Sequence, residues 1–328
     1  MCRVVVLFTV FILSLAPNFG YAAEGSNVAG ISGGSDMRSA LLPPPGLYAA
    51  GIAAASQTQN YFDNNGNRVA AFNDLEFKGR VGALALLYVP DFKLAGGSFG
   101  LLGAVFAGDE CGRILAFNPF TFASNPKRCT TGWGDPYVEM NWSRFFGTLR
   151  PSRYEGAFPI SEGLAVQFGL GVVIPVGQYD ATQVATNGLS IGNNLWNVAP
   201  MAAFTYTSPP ILAEGTEISA KLYWNNYREN SDTQYRTGDI LSMDFALTER
   251  IGPFQIGIAG TYVDQIENDE QFGFSIDNRI KGLSLGPVIA WDLPEAGVSM
   301  KLKLQKSIIQ QNTVKGLGAV FTIATKLY

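Results

Sequence analysis

From about residue 47 to its end, this 328-residue chain repeats one pattern. Stretches of about ten residues alternate apolar and polar, and each closes on a cluster of Gly, Pro, Asn or Asp. Asp74-Leu75-Glu76-Phe77-Lys78-Gly79-Arg80-Val81 is one such stretch, and Val298-Ser299-Met300-Lys301-Leu302-Lys303-Leu304-Gln305 another. A strand sends successive side chains to opposite faces, so each stretch makes a ribbon with one oily and one polar side. A soluble sheet covers its oily side with a second layer, and the sequence offers no helices to form one. A closed barrel, with lipid outside and water inside, satisfies every ribbon at once. The expected fold class is therefore all-β: a transmembrane antiparallel β-barrel of about twelve strands.

Twelve strands are predicted at 47–61, 72–88, 97–107, 133–145, 163–175, 195–207, 215–228, 237–250, 253–265, 279–292, 297–308 and 316–327. Trp142, Trp196, Trp224 and Trp291 fall toward strand ends, as an aromatic girdle requires. The connections 89–96, 208–214, 251–252 and 294–296 are short, whereas 63–71, 108–132, 177–194 and 267–278 are longer and polar. That asymmetry matches short periplasmic turns opposite long outer loops, with 146–162 as the exception. An even strand count places both barrel ends in the periplasm.

The first 23 residues read as an export signal that is cleaved. Arg3 precedes an apolar run, residues 4–15, too short to span a bilayer, and small residues follow near 20–23. Residues 24–46 form a flexible tail rich in Gly and Ser that ends at Pro43-Pro44-Pro45, and residues 47–328 form the barrel. The expected location is the outer membrane of a Gram-negative cell.

Only 15% of residues are charged, against about 25% in soluble domains. Without Arg3 the balance is 22 basic to 27 acidic, or −5, which excludes the basic stripe of a nucleic-acid-binding protein. There is no histidine anywhere, so Ser-His and Cys-His nucleophiles and histidine metal ligands are excluded. No cofactor, metal site or catalytic set is expected. Asp74 and Glu76 lie at a spacing that would suit a carboxylate pair, but Lys78 and Arg80 beside them favour paired, fully ionised groups. Cys111 and Cys129 share one polar segment of an exported chain and are expected to form a disulfide.

The alternation directs Asp74, Glu76, Lys78, Arg80, Glu139, Glu217, Lys221, Asp244, Lys301 and Lys303 into the lumen. Segregated signs there would make a selectivity constriction, whereas pairing across the barrel would fill it. The tail, residues 24–45, could enter the lumen as a hatch.

Leu42-Pro43-Pro44-Pro45-Gly46-Leu47-Tyr48 opens the barrel, Gly134-Asp135-Pro136 precedes the fourth strand, and Thr237-Gly238-Asp239 opens the eighth. Gly260-Thr261-Tyr262 with Gln265 follows, then Gly282-Leu283-Ser284-Leu285-Gly286-Pro287. In these residues, over about 42–328, the chain resembles the phenol meta-pathway degradation family of outer-membrane proteins. The resemblance implies a barrel that passes small compounds, aromatic ones among them. The function expected is passive uptake of small solutes, hydrophobic or aromatic, with outer-membrane lipid as the other partner. The alternative is a closed structural or adhesive barrel without a transport role.

Overall fold

The computed structural model describes residues 28–29, 35–72, 74–113, 117–118, 123–124, 126–155 and 157–328. The export signal and the first residues of the tail lie outside them. Twelve long strands close on themselves in the order of the chain. They are β1 (Gly46–Phe62), β2 (Glu76–Val89), β3 (Gly97–Arg113), β4 (Tyr137–Arg150), β5 (Ile160–Val173) and β6 (Asn197–Thr207). β7 (Thr216–Tyr227), β8 (Ile240–Ile251), β9 (Phe254–Gln265), β10 (Lys281–Leu293), β11 (Val298–Gln311) and β12 (Thr313–Lys326) complete the ring. β1 pairs with both β2 and β12, from Tyr48 opposite Lys326 to Phe62 opposite Thr313, so no edge is left open. Each of the twelve predicted strands overlaps one of these.

The exposed apolar side chains show which face meets lipid. On β2, Leu84, Leu86 and Tyr88 point out; on β11, Leu302 and Leu304; on β12, Leu317, Phe321 and Ile323. Trp196 and Trp224 lie on the wall toward the outer rim and Trp291 toward the periplasmic rim, all exposed. Among the described residues no helix is long and apolar enough to cross a membrane. One short helix, α1 (Ala181–Asn187), sits in the outer loop after β5, capped by Asp180, whose carboxylate accepts from the Thr182 and Gln183 amides.

The long 146–162 connection is a hairpin: β4 and β5 stay paired from Tyr137–Val173 to Arg150–Ile160 and project beyond their neighbours. Glu214, in the turn between β6 and β7, holds the projection. Its carboxylate accepts from Ser152 Oγ at 2.9 Å, the Arg153 amide at 2.6 Å and the Gly252 amide at 2.9 Å, tying three periplasmic turns together. Burial alone would raise its pKa, but these donors hold it below the ordinary glutamate value. A lowered folded pKa means the stabilisation is complete above the unfolded value of about 4.3 and is lost as the pH falls through the folded one. Glu214→Gln is therefore expected to speed hydrogen exchange at the Arg153 and Gly252 amides about tenfold at pH 7, with the gap to wild type closing in acid. Equal exchange at pH 7 would show that the carboxylate does not hold the turns.

Cys111, on β3, and Cys129, on the short strand Arg128–Trp133, are directly opposite one another and form a disulfide across a Cα separation of 4.0 Å. It closes a loop of 18 residues, a constraint worth at most about 3 kcal/mol, and it acts outside the membrane. Replacing both cysteines with Ser should speed proteolysis of this outer hairpin while leaving the barrel folded by its heat-dependent gel shift. Loss of the folded band would overturn that view.

Candidate functional site

The lumen is occupied by the chain's own amino-terminal tail. Leu42 to Pro45 lie at the periplasmic mouth, where Lys326 Nζ donates to the Pro45 carbonyl. From there the segment 35–41 rises inside the barrel, and Val28 and Ala29 lie near the outer end, packed with Tyr227, Ile240 and Ile280 in one case and bonded to Asn225 in the other. Asp36 and Ala40 are fully buried.

Polar groups along the strands fasten this segment. Ser39 sits against β7, its amide 2.9 Å and its hydroxyl 2.7 Å from Ser219 Oγ. The Ala40 amide donates to Thr205 on β6, and Ser143 on β4 donates to the Ala40 carbonyl. Ser35 donates to Asp244 on β8 at 2.9 Å. A tail of small residues can thread a narrow tube, and its backbone groups, which would otherwise be buried without partners, are met by these side chains.

Charge fixes its position. Asp36 lies between Lys301 Nζ at 2.8 Å and Lys303 Nζ at 2.7 Å, both on β11. Two residues on, Arg38 reaches the neighbouring strand: Nη2 is 2.8 Å from Asp292 on β10, Nε donates to Gln255 on β9, and its amide donates to Glu217 on β7. Asp292 also takes Arg250 Nη1 at 2.7 Å and the Ser299 hydroxyl. Lys303 and Asp36 are both completely buried, a state that needs a partner for each charge.

A second network lies on the β4–β7 side. Glu139 accepts from Lys221 Nζ at 2.7 Å, Tyr137 Oη at 2.7 Å, Asn141 Nδ2 at 2.9 Å and Tyr223 Oη at 3.3 Å. Asp244 further accepts from Thr261. Glu139, Glu217, Lys221, Asp244, Lys301 and Lys303 thus all face the lumen, in three groups linked through the tail or through one another.

Asp74, Glu76, Lys78 and Arg80 do not join them, and the reading of that stretch is corrected. β2 pairs without a bulge along its whole length, so the face that carries Leu84 and Leu86 to lipid also carries Glu76, Lys78 and Arg80 outward. Val81 and Ala83 point inward instead. The charges sit near the outer end of the strand, and Glu76 pairs with Lys78 and with Lys127 of the loop after β3. Asp74 is exposed in the turn before β2.

Four residues central to the arrangement were not singled out from the sequence: Asp36, Arg38, Arg250 and Asp292. For Asp292 a signal exists, since it falls in step with the inward-facing Val288 and Ala290. Arg250 falls in step with Asp244 and Thr248 in the same way. For Asp36 and Arg38 no local pattern exists, because their partners lie 179 or more residues away.

Outward of the tail lies a cavity of about 530 Å³. Val28 of the tail lines its lower part, and Ile52, Val81, Ala83, Phe106 and Val173 line one side. Thr261, Ser284, Gln305, Ser307 and Gln310, from β9, β10 and β11, form a polar strip on the other. Ile191 closes over it from the loop that carries α1, a loop pinned where Asp135 accepts from the Gly177 and Asn193 amides. Phe106→Trp should narrow this space and slow passage of any solute that uses it; unchanged solute flux would remove the cavity from the path.

Among solved structures, the COG4313 outer membrane channel from Pseudomonas putida F1 is similar, with 14% identity and a TM-score of 0.67. The match covers 92% of this chain and 99% of that one, and it shows a shared fold. The transport unit of the autotransporter AIDA-I from Escherichia coli matches with 9% identity and a TM-score of 0.46, covering 86% and 90% of the two chains. The P. putida toluene transporter TodX matches with 9% identity and a TM-score of 0.40, covering 90% and 93%. The last two similarities support no argument about this chain. No curated protein matches it in sequence. The family model described as "Putative MetA-pathway of phenol degradation" matches residues 58–323, from within β1 to within β12, and the chain belongs to that family.

Proposed function

We propose that the protein is a passive channel of the outer membrane for small, largely apolar solutes, with the tail as an internal hatch. The observation that carries this reading is the stacking of two compartments in one lumen. An apolar cavity of about 530 Å³ lies toward the outside, and below it a peptide segment is held by side chains rather than by the covalent wall. Twelve strands make a tube between the side-chain-filled small barrels and the open 16- to 18-stranded ones, so a short peptide is enough to close it. An apolar solute fits the lining of this cavity.

Two further parts belong to the same reading. The amino-terminal 23 residues are a signal removed on export, which frees the tail to enter the lumen from its own end. The barrel has no catalytic role: with no histidine in the chain, the candidate acids are carboxylates, and Glu139 and Asp292 in the lumen are engaged by Lys and Arg partners.

The dense pairing within the lumen favours a second reading, a permanently closed structural barrel. Proteoliposomes decide between them. Uptake of small aromatic and aliphatic compounds above the protein-free rate is expected, at a rate proportional to solute concentration. Rates equal to protein-free vesicles, for every solute tested and with the barrel folded, would establish the closed form.

A further inference from the structure

β11 carries a bulge near its outer end. Opposite β10 the register steps from Ile309–Leu283 to Ser307–Ser284, and Ile308 is left over. A bulge re-aims the side chains beyond it. Up to that point the odd residues Lys301, Lys303, Gln305 and Ser307 face inward. Past it, Ile308 and Ile309 are both exposed, and Gln310 turns into the lumen, 9% exposed. Without the extra residue, Gln310 would face away from the lumen. The bulge thus adds an amide to the cavity wall, beside Ile309, which also lines it.

That amide is not used up by the protein. Gln310 Nε2 has no hydrogen-bond partner among the described residues, although it is more than nine-tenths buried and lines the cavity. The neighbouring Gln305, by contrast, donates its amide to Thr261 Oγ1 at 3.2 Å. A buried donor without an acceptor costs roughly 1–3 kcal/mol, so its acceptor is expected in the cavity itself. Of the wall's other polar side chains, Gln305 donates to Thr261, Lys281 pairs with Asp264 and Ser307 accepts from the Gly316 amide, while Val, Ile, Ala and Phe supply burial without direction. A cavity of about 150 Å³ already accepts benzene, so this one has room for one or two rings.

We infer that the cavity is a binding site for a neutral, one- or two-ring-sized apolar molecule carrying a single hydrogen-bond acceptor, and that Gln310 is the residue that reads that acceptor. The inference deepens the channel reading and rests on it. It names what distinguishes one apolar solute from another: a ketone, ether or hydroxyl oxygen set against the Gln310 amide.

The test uses the full-length protein in nanodiscs and two probes of nearly equal shape, acetophenone and ethylbenzene, with binding measured against empty discs. Acetophenone is expected to bind wild type more tightly. Gln310→Met, which keeps the length of the side chain and removes its donor, should weaken acetophenone about fivefold and leave ethylbenzene unchanged. Gln310→Glu keeps the shape and replaces the donor with an acceptor, so it should weaken acetophenone at least as much; it also covers the case in which the Met variant does not fold. Equal effects on both probes, or none on either, would overturn the role of Gln310, whose amide would then be satisfied by water. Solute flux in proteoliposomes keeps the two readings apart. Flux without discrimination between the probes overturns this inference alone, whereas discriminating binding without flux overturns the channel and leaves the site.

Discussion

A protein lacking residues 24–42 is expected to conduct several times more current in planar bilayers than the full chain. The tail segment takes up the middle of the lumen, with Ser39 against β7, Asp36 against β11 and Arg38 against β10. Its removal opens a water-filled path bordered by Lys301 and Lys303 of β11, by Asp292 of the adjacent β10 and by Glu217 of β7. These charges lose their peptide partners but gain water, so the truncated barrel should still fold and migrate as a folded band. The current should also respond to ion charge, since Lys301, Lys303 and Glu217 are no longer met by the tail. Full-length and truncated proteins with equal conductance would show that the tail does not block the pore.

Asp36→Ala is expected to open the same path through a single side chain. With the tail still seated, the change leaves the completely buried Lys303 without the carboxylate it pairs with. Breaking a buried pair by removing one partner costs about 3–5 kcal/mol, more than the remaining neutral hydrogen bonds and the part-exposed Arg38–Asp292 pair would return, since Asp292 keeps Arg250 when the tail leaves. The chain escapes this cost by withdrawing the tail and admitting water to the lysines. The substitution should therefore raise conductance toward that of the truncated protein and speed proteolysis within residues 24–42, while the barrel keeps its gel shift. Adding Lys303→Met removes that stranded charge and should restore part of the block. If Asp36→Ala left both conductance and proteolysis unchanged, the ion pairs would not be what holds the tail.

The strands were legible because lipid enforces alternation along the whole wall: Leu222 and Trp224 face out while Glu217, Ser219 and Lys221 face in, with no exception along β7. The same rule misleads where it is applied to a short window. Leu75, Phe77 and Val81 look like a lipid face, yet the phase of β2 is set by Leu84, Leu86 and Tyr88 within the membrane. Carried outward without a bulge, that phase turns the charges to the exterior, where the strand has risen clear of hydrocarbon. Gln310 lies beyond the reach of the rule for another reason: its inward place depends on one extra residue at Ile308, which alternation alone does not show. The tail was legible as a peptide of unusual composition near a pore mouth. Its seat was not, because Asp36 meets lysines 265 residues and more along the chain, and no local period encodes such a contact. The hairpin after β4 escaped notice for a related reason: Glu214, which secures it, belongs to a different turn.

The measurement that bears most directly on a lumen closed by its own tail is a reversible lock. Ser39 and Ser219 stand with their hydroxyls 2.7 Å apart, one on the tail and one on β7. Ser39→Cys with Ser219→Cys, in the Asp36→Ala protein with Cys111 and Cys129 replaced by Ser, places the only thiol pair of the barrel across that contact. Single-channel conductance is then recorded before and after addition of a reductant. A low conductance when oxidised that rises severalfold on reduction is the predicted result. The same conductance in both states, with the cross-link verified by mass, would contradict it.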